Sequence, residues 1–411
     1  MELKKVLFIG FVWPEAKSSA AGSRMMQLVE FFIALGAKVT FASAAKPGEH
    51  PSNLEELGVD SVPIALNHSS FDDFIKILNP DLVVFDRYMT EEQFGWRVAE
   101  HCPECVRVLD TEDLHSLRAV RQQCLKDGVP LTDALLLESP LTKRELASIF
   151  RSDLSLMISE YEMQLLESLF KVPSTLLCYL PLIVDAVAYS KAEWEVKKDF
   201  VFIGNFIHAP NWDAVLHLKN TIWPLIHKNL PGAKLHIYGA YAPDKVYQLH
   251  NEQDGFLVHG WAEDAPEVFE SARVCLVPLR YGAGIKGKIL EAMSFGTPNV
   301  TTSIGAEGIH GNMPWGGFIE DDHELFAKAA IKLYTDKVVW EQSLQNGYAL
   351  LNERFDKEDH FNAFRNALQT YLPEVKNNRN KNFVGAMLMQ HTASASKYMA
   401  KWIEAKNKNN Q

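Results

Sequence analysis

The chain has 411 residues, which suits two or three domains at about 150 residues each. Hydrophobic residues make up 47% of it, enough to fill the cores of folded domains. The net charge of −11 argues against general nucleic-acid binding, because that requires a basic surface. Five cysteines without a recognisable signal peptide predict a reduced, cytoplasmic compartment, and no apolar run is long enough to span a membrane.

Short apolar runs alternate with helical patterns through the first half of the chain. The predicted strands are residues 4–11, 37–42, 81–86, 106–110 and 154–159, and the predicted helices are residues 25–35, 91–101 and 160–170. Ser23 is the expected N-cap of the first of these helices. Strands that alternate with helices favour a parallel sheet covered by helices.

Polar residues cluster just after one predicted strand of this half. Asp113, His115 and Arg118 follow the strand that ends at Asp110. Ligands of open parallel sheets gather beyond the carboxyl ends of the strands, so the position suits a site. A plainer interpretation is that Asp113 caps a helix and His115 is in solvent. The residues alone leave both interpretations open.

A second series of strands and helices begins near residue 199. Residues 183–199 are predicted to be a linker, and the strands that follow are predicted at residues 200–204, 235–239 and 256–260. The loop after the first of them carries Asn205, His208 and Asn211. Asn211 is also a suitable N-cap for a helix predicted over residues 212–227. A last helix is predicted over residues 358–371.

The most informative stretch runs from Arg273 to Gly308. A buried strand at residues 274–279 leads into a glycine loop and a helix, which Gly296 is expected to end. A second strand at residues 299–303 leads to another glycine loop. Strand, glycine loop, helix and strand make one parallel crossover unit.

The polar face of that helix predicts a phosphate site. Gly284, Gly287 and Glu291 share one face because they stand at i, i+3 and i+7. The two glycines leave room for a ligand at the helix start, where free N–H groups and the positive dipole end suit a phosphate. Glu291 lies roughly 10 Å farther along the axis, within reach of a ribose. Arg280 and Lys286 add positive charge. The plainer interpretation is an ordinary helix in which Glu291 pairs with Lys288.

The loop YGAGIKGK, the helix LEAMSFG and the closing GAEG resemble the donor-site signature of family 4 (group 1) retaining glycosyltransferases. The resemblance implies an α/β protein of the GT-B fold, with two doubly wound, Rossmann-like parallel-sheet domains facing each other across a cleft. The implied parts are an acceptor domain at residues 1–190, a nucleotide-sugar domain at 199–355, a helix returning to the first domain at 356–375 and a basic tail at 376–411.

The resemblance also implies roles for individual residues. Glu291 stands where the family contacts the ribose, whereas the first of the family's two glutamates falls on Ala283. Most members carry an arginine and a lysine in the loop after residue 204, and Arg280 and Lys286 are expected to replace that charge. The expected donor-binding residues are Gly22, Asn205, His208, Asn211, Gly284, Gly287 and Glu291, and the expected catalytic residues are Asp113, His115, Arg280 and Lys286.

The implied function is transfer of a sugar from a nucleotide sugar to a hydroxyl of a glycan, lipid-linked or protein acceptor, with retention of the anomeric configuration. Surface polysaccharide or glycoconjugate synthesis is the expected context, with no metal and no cofactor besides the nucleotide-sugar substrate. Two alternatives are a catalytically silent GT-B protein that binds a partner glycosyltransferase or glycan, which the loss of a glutamate at Ala283 suggests, and a nucleotide-sugar epimerase.

The carboxyl-terminal segment differs in charge from the rest of the chain. Residues 376–411 hold seven Lys or Arg against one Glu. One interpretation is an amphipathic segment that contacts anionic lipid at the inner membrane face. The other is a soluble helix with a frayed Asn- and Lys-rich end.

Overall fold

The structure is a computed structural model that describes residues 3–185, 193–390, 399–400 and 402–403. Residues 186–192 of the predicted linker, and residues 391–398, 401 and 404–411 of the predicted tail, lie outside the described residues. The described chain forms two parallel sheets with helices on both faces.

The first sheet has seven strands in the order β3-β2-β1-β4-β5-β6-β7. These are β1 (Lys5–Gly10), β2 (Lys38–Ser43), β3 (Asp60–Pro63), β4 (Leu82–Asp86), β5 (Val106–Asp110), β6 (Leu154–Met157) and β7 (Leu177–Tyr179). All five residues of the central strand β4 are buried. Such a continuous apolar run is needed where helices cover both faces. The chain reverses its direction across the sheet between β1 and β4, which makes this the switch point.

The second sheet has six strands in the order β10-β9-β8-β11-β12-β13. These are β8 (Lys198–Ile203), β9 (Leu235–Tyr238), β10 (Phe256–Gly260), β11 (Ala272–Val277), β12 (Asn299–Thr301) and β13 (Gly317–Ile319). Its switch point lies between β8 and β11. We call each sheet with its helices the first and the second domain.

Helices connect the strands and cover the sheets. The first domain contains α1 (Ala20–Ala34), α2 (Ser70–Leu78), α3 (Arg87–Thr90), α4 (Trp96–His101), α5 (His115–Asp127), α6 (Asp133–Glu138), α7 (Pro140–Arg151) and α8 (Glu160–Ser168). The second contains α9 (Ala209–His217), α10 (Trp223–Asn229), α11 (Asp244–Tyr247), α12 (Ala265–Ser271), α13 (Gly287–Ser294), α14 (Ser303–Ala306), α15 (His323–Thr335) and α16 (Lys337–Arg354). The chain continues with α17 (Lys357–Tyr371), α18 (Val375–Lys381) and α19 (Phe383–Met389).

The last three helices pack on the first domain. Phe364 and Leu368 of α17 are buried in its core, where the ring of Phe364 lies 4.9 Å from that of Phe31. The guanidinium of Arg379 in α18 forms an ion pair with Asp153, with Nε–Oδ1 and Nη2–Oδ2 distances of 2.7 and 2.6 Å. Among the described residues, no helix is long and apolar enough to cross a membrane.

The prediction of two doubly wound parallel-sheet domains is confirmed. Strands β5 and β10 have the predicted bounds. The predicted helix over residues 212–227 is instead interrupted by a π turn at Leu218–Ile222. Pro224 follows that turn, and a proline cannot donate to the preceding turn and clashes with its carbonyl.

Two predicted helix caps are wrong. Helix α1 begins at Ala20, and Ser19 caps it by accepting from the N–H of Gly22 at 3.0 Å, whereas the Ser23 hydroxyl donates to the carbonyl of Ala16 at 2.8 Å. Helix α9 begins at Ala209, so Asn211 lies inside it and its amide is free to bind elsewhere.

Candidate active site

The two switch points meet across the cleft between the domains. The side-chain amide of Asn205, after β8, donates to the carbonyl of Ser18, after β1, at 3.4 Å. The Tyr241 hydroxyl donates to Oε1 of Glu15 at 2.7 Å. Because ligands of such sheets bind beyond the carboxyl ends of strands at the switch point, this junction is the candidate site.

The glycine loop between β11 and α13 is held by the first domain. The N–H of Gly284 donates to Oε1 of Glu162 at 2.7 Å. Arg121 donates to the carbonyl of Gly282 at 2.8 Å and forms two contacts with the carboxylate of Glu307, at 2.8 and 2.6 Å. These side chains fix the position of the loop relative to the first domain.

Gly284 and Gly287 allow the domains to approach closely. Gly284 has a φ of 64°, and a Cβ atom there would lie 2.7 Å from Cβ of Asp113. A Cβ atom on Gly287 would lie 2.5 Å from Cβ of Ala20. Atoms of the first domain therefore occupy the space beside these two glycines. A ligand would reach the start of α13 from another side.

Gly22 has a similar packing role within the first domain. It lies in the first turn of α1, where a Cβ atom would be 2.3 Å from the carbonyl oxygen of Glu15. A larger residue there would displace the loop before α1, and with it the start of the helix that faces the cleft.

The starts of three helices converge at the junction. Ala20 of α1 faces Gly287 of α13, and Asn205, which precedes α9, contacts the loop before α1. None of the described side chains caps α9 or α13, whose N-cap positions are His208 and Lys286. Uncapped N–H groups and positive dipole ends that point at one place form an anion-binding site.

Lys288 of α13 brings a positive charge next to the loop that follows β8. Its ammonium donates to Oδ1 of Asn211, whose amide donates in turn to the carbonyl of Asn205 at 2.7 Å. The ammonium lies 4.6 Å from the ring centre of Phe202, and burial lowers the pKa of Lys288 to about 8. From the sequence, Lys288 was expected only to pair with Glu291. Its position directly after Gly287, in the sequence KGK, was the feature that could have indicated a place near the phosphate site.

Glu291 lies half-buried on the helix α13. Burial raises the pKa of Glu291, and Lys288 opposes the shift. No hydrogen bond or ion pair from the described residues reaches its carboxylate, since the Lys288 ammonium is held by Asn211. The plain ion pair considered from the sequence is thus wrong, and the carboxylate keeps its acceptor capacity.

Arg280 and Lys286 are held by protein acceptors. Arg280 forms two contacts with the Asp213 carboxylate and is 41% exposed. Lys286 is buried beneath the loop, where its ammonium donates to the carbonyl of Gly284 at 2.7 Å. Burial lowers the pKa of Lys286 to about 8, and the carboxylate of Glu307 opposes the shift. Lys286 therefore shapes the loop, and Arg280 lies toward its surface.

Asp113, His115 and Arg118 form a cluster that faces His208 of the second domain. Asp113 accepts from Arg118, and Nε2 of His115 lies 3.4 Å from its Oδ1. Burial raises the pKa of Asp113, but Arg118 and His115 outweigh it and hold the pKa at about 2. Desolvation of the His208 ring lowers its pKa to about 3, and the positive charge of Arg118 lowers it further.

The alternative in which Asp113 caps a helix is wrong. The N-cap position of α5 is Leu114, and the carboxylate that accepts from the first N–H groups of this helix belongs to Glu145, at 2.9 Å from the N–H of His115 and 3.0 Å from that of Ser116. His115 is also not in solvent, because its side chain is only 14% exposed. The cluster is therefore part of the wall of the cleft.

Two residues with strained backbone also belong to this wall, and neither was predicted from the sequence. Arg87 after β4 has a φ of 68°, and Glu112 after β5 has a φ of 56°. Left-handed backbone in residues other than glycine costs about 1–3 kcal/mol and is concentrated at functional sites. Burial raises the pKa of Glu112 to about 8, and its Oε1 has no hydrogen-bond partner among the described residues. No sequence pattern marks such conformations.

The described residues hold no group of three or more His, Cys, Asp or Glu side chains that could bind a metal ion. Cys102 and Cys105, the C-x-x-C pair, are both buried as free thiols.

We expect the unusual state of His115 to make the folded protein less stable in mild acid. Burial lowers the pKa of His115 from its ordinary value near 6.5 to about 4. The unfolded chain therefore takes up a proton that the folded chain refuses, and stability falls as the pH drops from 6.5 toward 4. Between pH 7 and pH 5 this should cost about 2 kcal/mol.

Urea unfolding of the wild type and of His115→Gln at both pH values measures the effect. The difference between pH 7 and pH 5 should shrink by about 2 kcal/mol in His115→Gln. It should not change in His68→Gln, which alters an exposed histidine in the loop before α2. An equal acid loss in wild type and His115→Gln would contradict the assignment.

Comparison with known proteins identifies the second domain. The family model described as glycosyl transferases group 1 matches residues 197–336. A curated relative, an uncharacterized 44.6 kDa protein in the cps region of Klebsiella pneumoniae, is 25% identical over 170 residues. That alignment covers 40% of this chain and 44% of the relative, so it spans less than half of either.

Solved glycosyltransferase structures match the described fold over most of its length. Sucrose-phosphate synthase from Thermosynechococcus elongatus has a TM-score of 0.66 and 16% identity, covering 89% of this chain and 98% of that one. HepE of Anabaena, in complex with UDP and glucose, has a TM-score of 0.67 and 11% identity, covering 89% and 99%. S. aureus TarM, in a complex that includes UDP, has a TM-score of 0.67 and 10% identity over the same shares.

At these identities the structures establish the fold, and the family model establishes the kind of domain. The chain therefore has the GT-B fold of these glycosyltransferases, and residues 197–336 place its second domain in the glycosyl transferases group 1 family.

Proposed function

We propose that this protein transfers a sugar from a nucleotide-sugar donor to an acceptor hydroxyl, with retention at the anomeric carbon and without a metal ion. One observation carries the proposal. The uncapped starts of α9 and α13 meet the start of α1 beside the Lys288 ammonium, and the unpaired Glu291 carboxylate lies along the same helix. Such an arrangement suits a diphosphate and its ribose.

The donor diphosphate would lie between the helix starts, and Glu291 would accept hydrogen bonds from the ribose. When the bond to the sugar breaks, negative charge grows on the leaving diphosphate. The uncapped N–H groups at the start of α13 and the Lys288 ammonium, already fixed by Asn211, are positioned to stabilise that charge. Because they are oriented before reaction, little reorganisation is needed.

The first domain would bind the acceptor. Asp113 is ionised at neutral pH, whereas His115 is neutral and can exchange hydrogen bonds with a hydroxyl. Family enzymes release the nucleotide on the face that the acceptor attacks, with a donor phosphate oxygen helping to take the proton. Asp113 and His115 would then orient the acceptor hydroxyl against the donor.

The acceptor class is proposed from context. A relative that lies in a cps region supports synthesis of a surface polysaccharide or glycoconjugate, with a glycan, lipid-linked or protein acceptor. We propose a cytoplasmic location for this reaction, where nucleotide sugars are available, with contact to the inner face of the membrane.

Nucleotide binding tests the proposal directly. In a thermal-shift panel of UDP, GDP, dTDP and ADP compounds, the preferred nucleotide should stabilise the chain by about 2.7 kcal/mol at 100 times its Kd. Glu291→Gln should remove most of that shift, whereas Glu341→Gln on the exposed side of α16 should keep it. If no nucleotide stabilises the chain, or if Glu291→Gln binds as well as wild type, the proposal is wrong.

A catalytically silent protein is the second candidate. The observation in its favour is Ala283, which stands where the family has a carboxylate and packs against the apolar core of the first domain. A silent protein would bind nucleotide sugar without ever releasing nucleotide. Release of free nucleotide in the presence of cell-extracted acceptors would exclude it, and a new sugar nucleotide formed without acceptor would indicate an epimerase.

A further inference from the structure

The carboxyl-terminal helices enclose a second polar cavity, far along the chain from the glycine loop. Between the first sheet and the helices α18 and α19 lies a cavity of about 300 Å³, which we call the tail pocket. Arg107, Arg151, Asp153, Arg379, Phe150 and Met389 contribute to its lining.

Two of the three arginines of the tail pocket form hydrogen bonds to carboxylates. Arg151 binds Glu91 through Nε and Nη2 at 2.9 and 2.5 Å. Arg379 binds Asp153 in the same way, and also donates to the carbonyls of Pro103 and Cys105 at 2.6 Å each. These contacts tie α18 to the first domain.

Arg107 is the exception. Its side chain is 12% exposed, yet Nε lies 3.7 Å from Oδ2 of Asp153 and has no hydrogen-bond acceptor among the described residues. Its Nη1 has only the thioether of Met389, at 3.8 Å, which is a weak acceptor. A buried guanidinium with unmet donors leaves the pocket with one uncompensated positive charge and a preference for an oxyanion.

Helix α19, which forms one wall of the tail pocket, exposes apolar side chains on its outer face. Phe383, Val384 and Met387 of α19 are 69%, 42% and 55% exposed, while Ala386 and Met389 of the same helix line the pocket. The tail segment around them carries seven Lys or Arg against one Glu, in a chain with a net charge of −11. Exposed large apolar residues within a basic segment are typical of helices that lie in a membrane interface.

We propose that the tail pocket and the exposed face of α19 form a docking site for an anionic phospholipid bilayer, with a lipid phosphate bound by Arg107 and the side chains of Phe383 and Met387 inserted among the acyl chains. A phosphate group is a strong bidentate acceptor for a guanidinium. A lipid phosphate is favoured over the free ion because a lipid can also remove the apolar side chains beside the pocket from water, whereas a free ion cannot.

Vesicle flotation of the full chain tests the site without any sugar transfer, so its failure would leave the proposed enzyme function untouched. The chain should float with vesicles of phosphatidylcholine and phosphatidylglycerol and not with phosphatidylcholine alone, and high salt should weaken binding. Arg107→Met should lower the partition coefficient about fivefold. Phe383→Ser should lower it about tenfold.

Matched variants control for charge and hydrophobicity. Arg365→Met removes one charge on α17, and Ile77→Ser removes an apolar side chain that is 83% exposed on α2, so both should float like wild type. Phe383 is on the surface, so its variant should retain the wild-type melting temperature. Equal flotation of wild type, Arg107→Met and Phe383→Ser would overturn the proposal.

Inorganic phosphate distinguishes a soluble ligand from a lipid. If phosphate stabilises wild type but not Arg107→Met, and no vesicle is bound, the pocket binds a free anion and the bilayer proposal is wrong. A dimer that forms through α19 would also overturn the proposal. It would show a doubled mass in wild type, a monomer mass in Phe383→Ser, and no binding to vesicles.

Discussion

Gly287→Ala is expected to lower kcat/KM for sugar transfer about 100-fold while leaving the chain folded. The new Cβ atom would lie 2.5 Å from Cβ of Ala20, so the helices α13 and α1 must separate by about 1 Å to reach normal contact. A displacement of that size between reacting groups can cost about 100-fold. Stability should be nearly unchanged, because alanine is a better helix residue than glycine.

Gly232→Ala is the matched control, since a Cβ atom at Gly232 meets no other atom within 4 Å. It should retain wild-type activity. The measurement is nucleotide release from the sugar nucleotide that stabilises the chain most, with the melting temperature of each variant recorded. Full activity in Gly287→Ala would mean that the domains do not need this close approach for catalysis.

Lys288→Met is expected to lower kcat by about 100-fold or more. The ammonium is fixed by Asn211 beside the starts of α9 and α13, where charge on a leaving diphosphate would grow. Methionine has similar length, and removing a buried charge relieves a desolvation cost, so the melting temperature should not fall. The two readouts together distinguish a catalytic role from a structural one.

Lys332→Met, on the exposed face of α15, removes the same charge outside the cleft and should behave like wild type. Lys286→Met provides a second comparison. Lys286 binds the carbonyl of Gly284 from beneath the loop, so its loss should lower both activity and melting temperature. A kcat within a few-fold of wild type for Lys288→Met would show that this lysine does not contact the donor.

The fold could be predicted from the sequence because parallel strands covered on both faces are continuous apolar runs. Strands β5 and β10 were placed to the residue, although Arg107 and His259 interrupt their apolar runs. Helix starts were predicted less well, because Ser19 and Ser23 are both capping residue types, and only the fold determines which hydroxyl faces the N–H of Gly22.

The candidate site could be predicted only in part. Spacing predicted Gly284, Gly287 and Glu291 on one helical face, but α13 begins at Gly287, and Gly284 lies in the loop before it with a φ of 64°. Spacing also does not say which neighbour fills the space beside a glycine. Likewise, the KGK motif does not say which lysine enters the cleft. Lys286 occupies the N-cap position and turns back under the loop, whereas Lys288 lies in the first turn and reaches Asn211.

Contacts between distant parts of the chain were beyond sequence reasoning. Arg121 and Glu307 are 186 residues apart, and neither lies in a pattern that names the other. The left-handed backbone of Arg87 and Glu112 is imposed by packing at the strand ends against local preference. The contacts of Arg121 determine how the first domain meets the glycine loop, and both features require the folded structure.

A crystal structure of the chain with its stabilising sugar nucleotide is the most direct test of the donor site. We expect a diphosphate beside the starts of α9 and α13, within hydrogen-bond distance of the Lys288 ammonium, and a ribose hydroxyl donating to the Glu291 carboxylate. A nucleotide bound elsewhere, or a Glu291 side chain with no contact to the ribose, would contradict it.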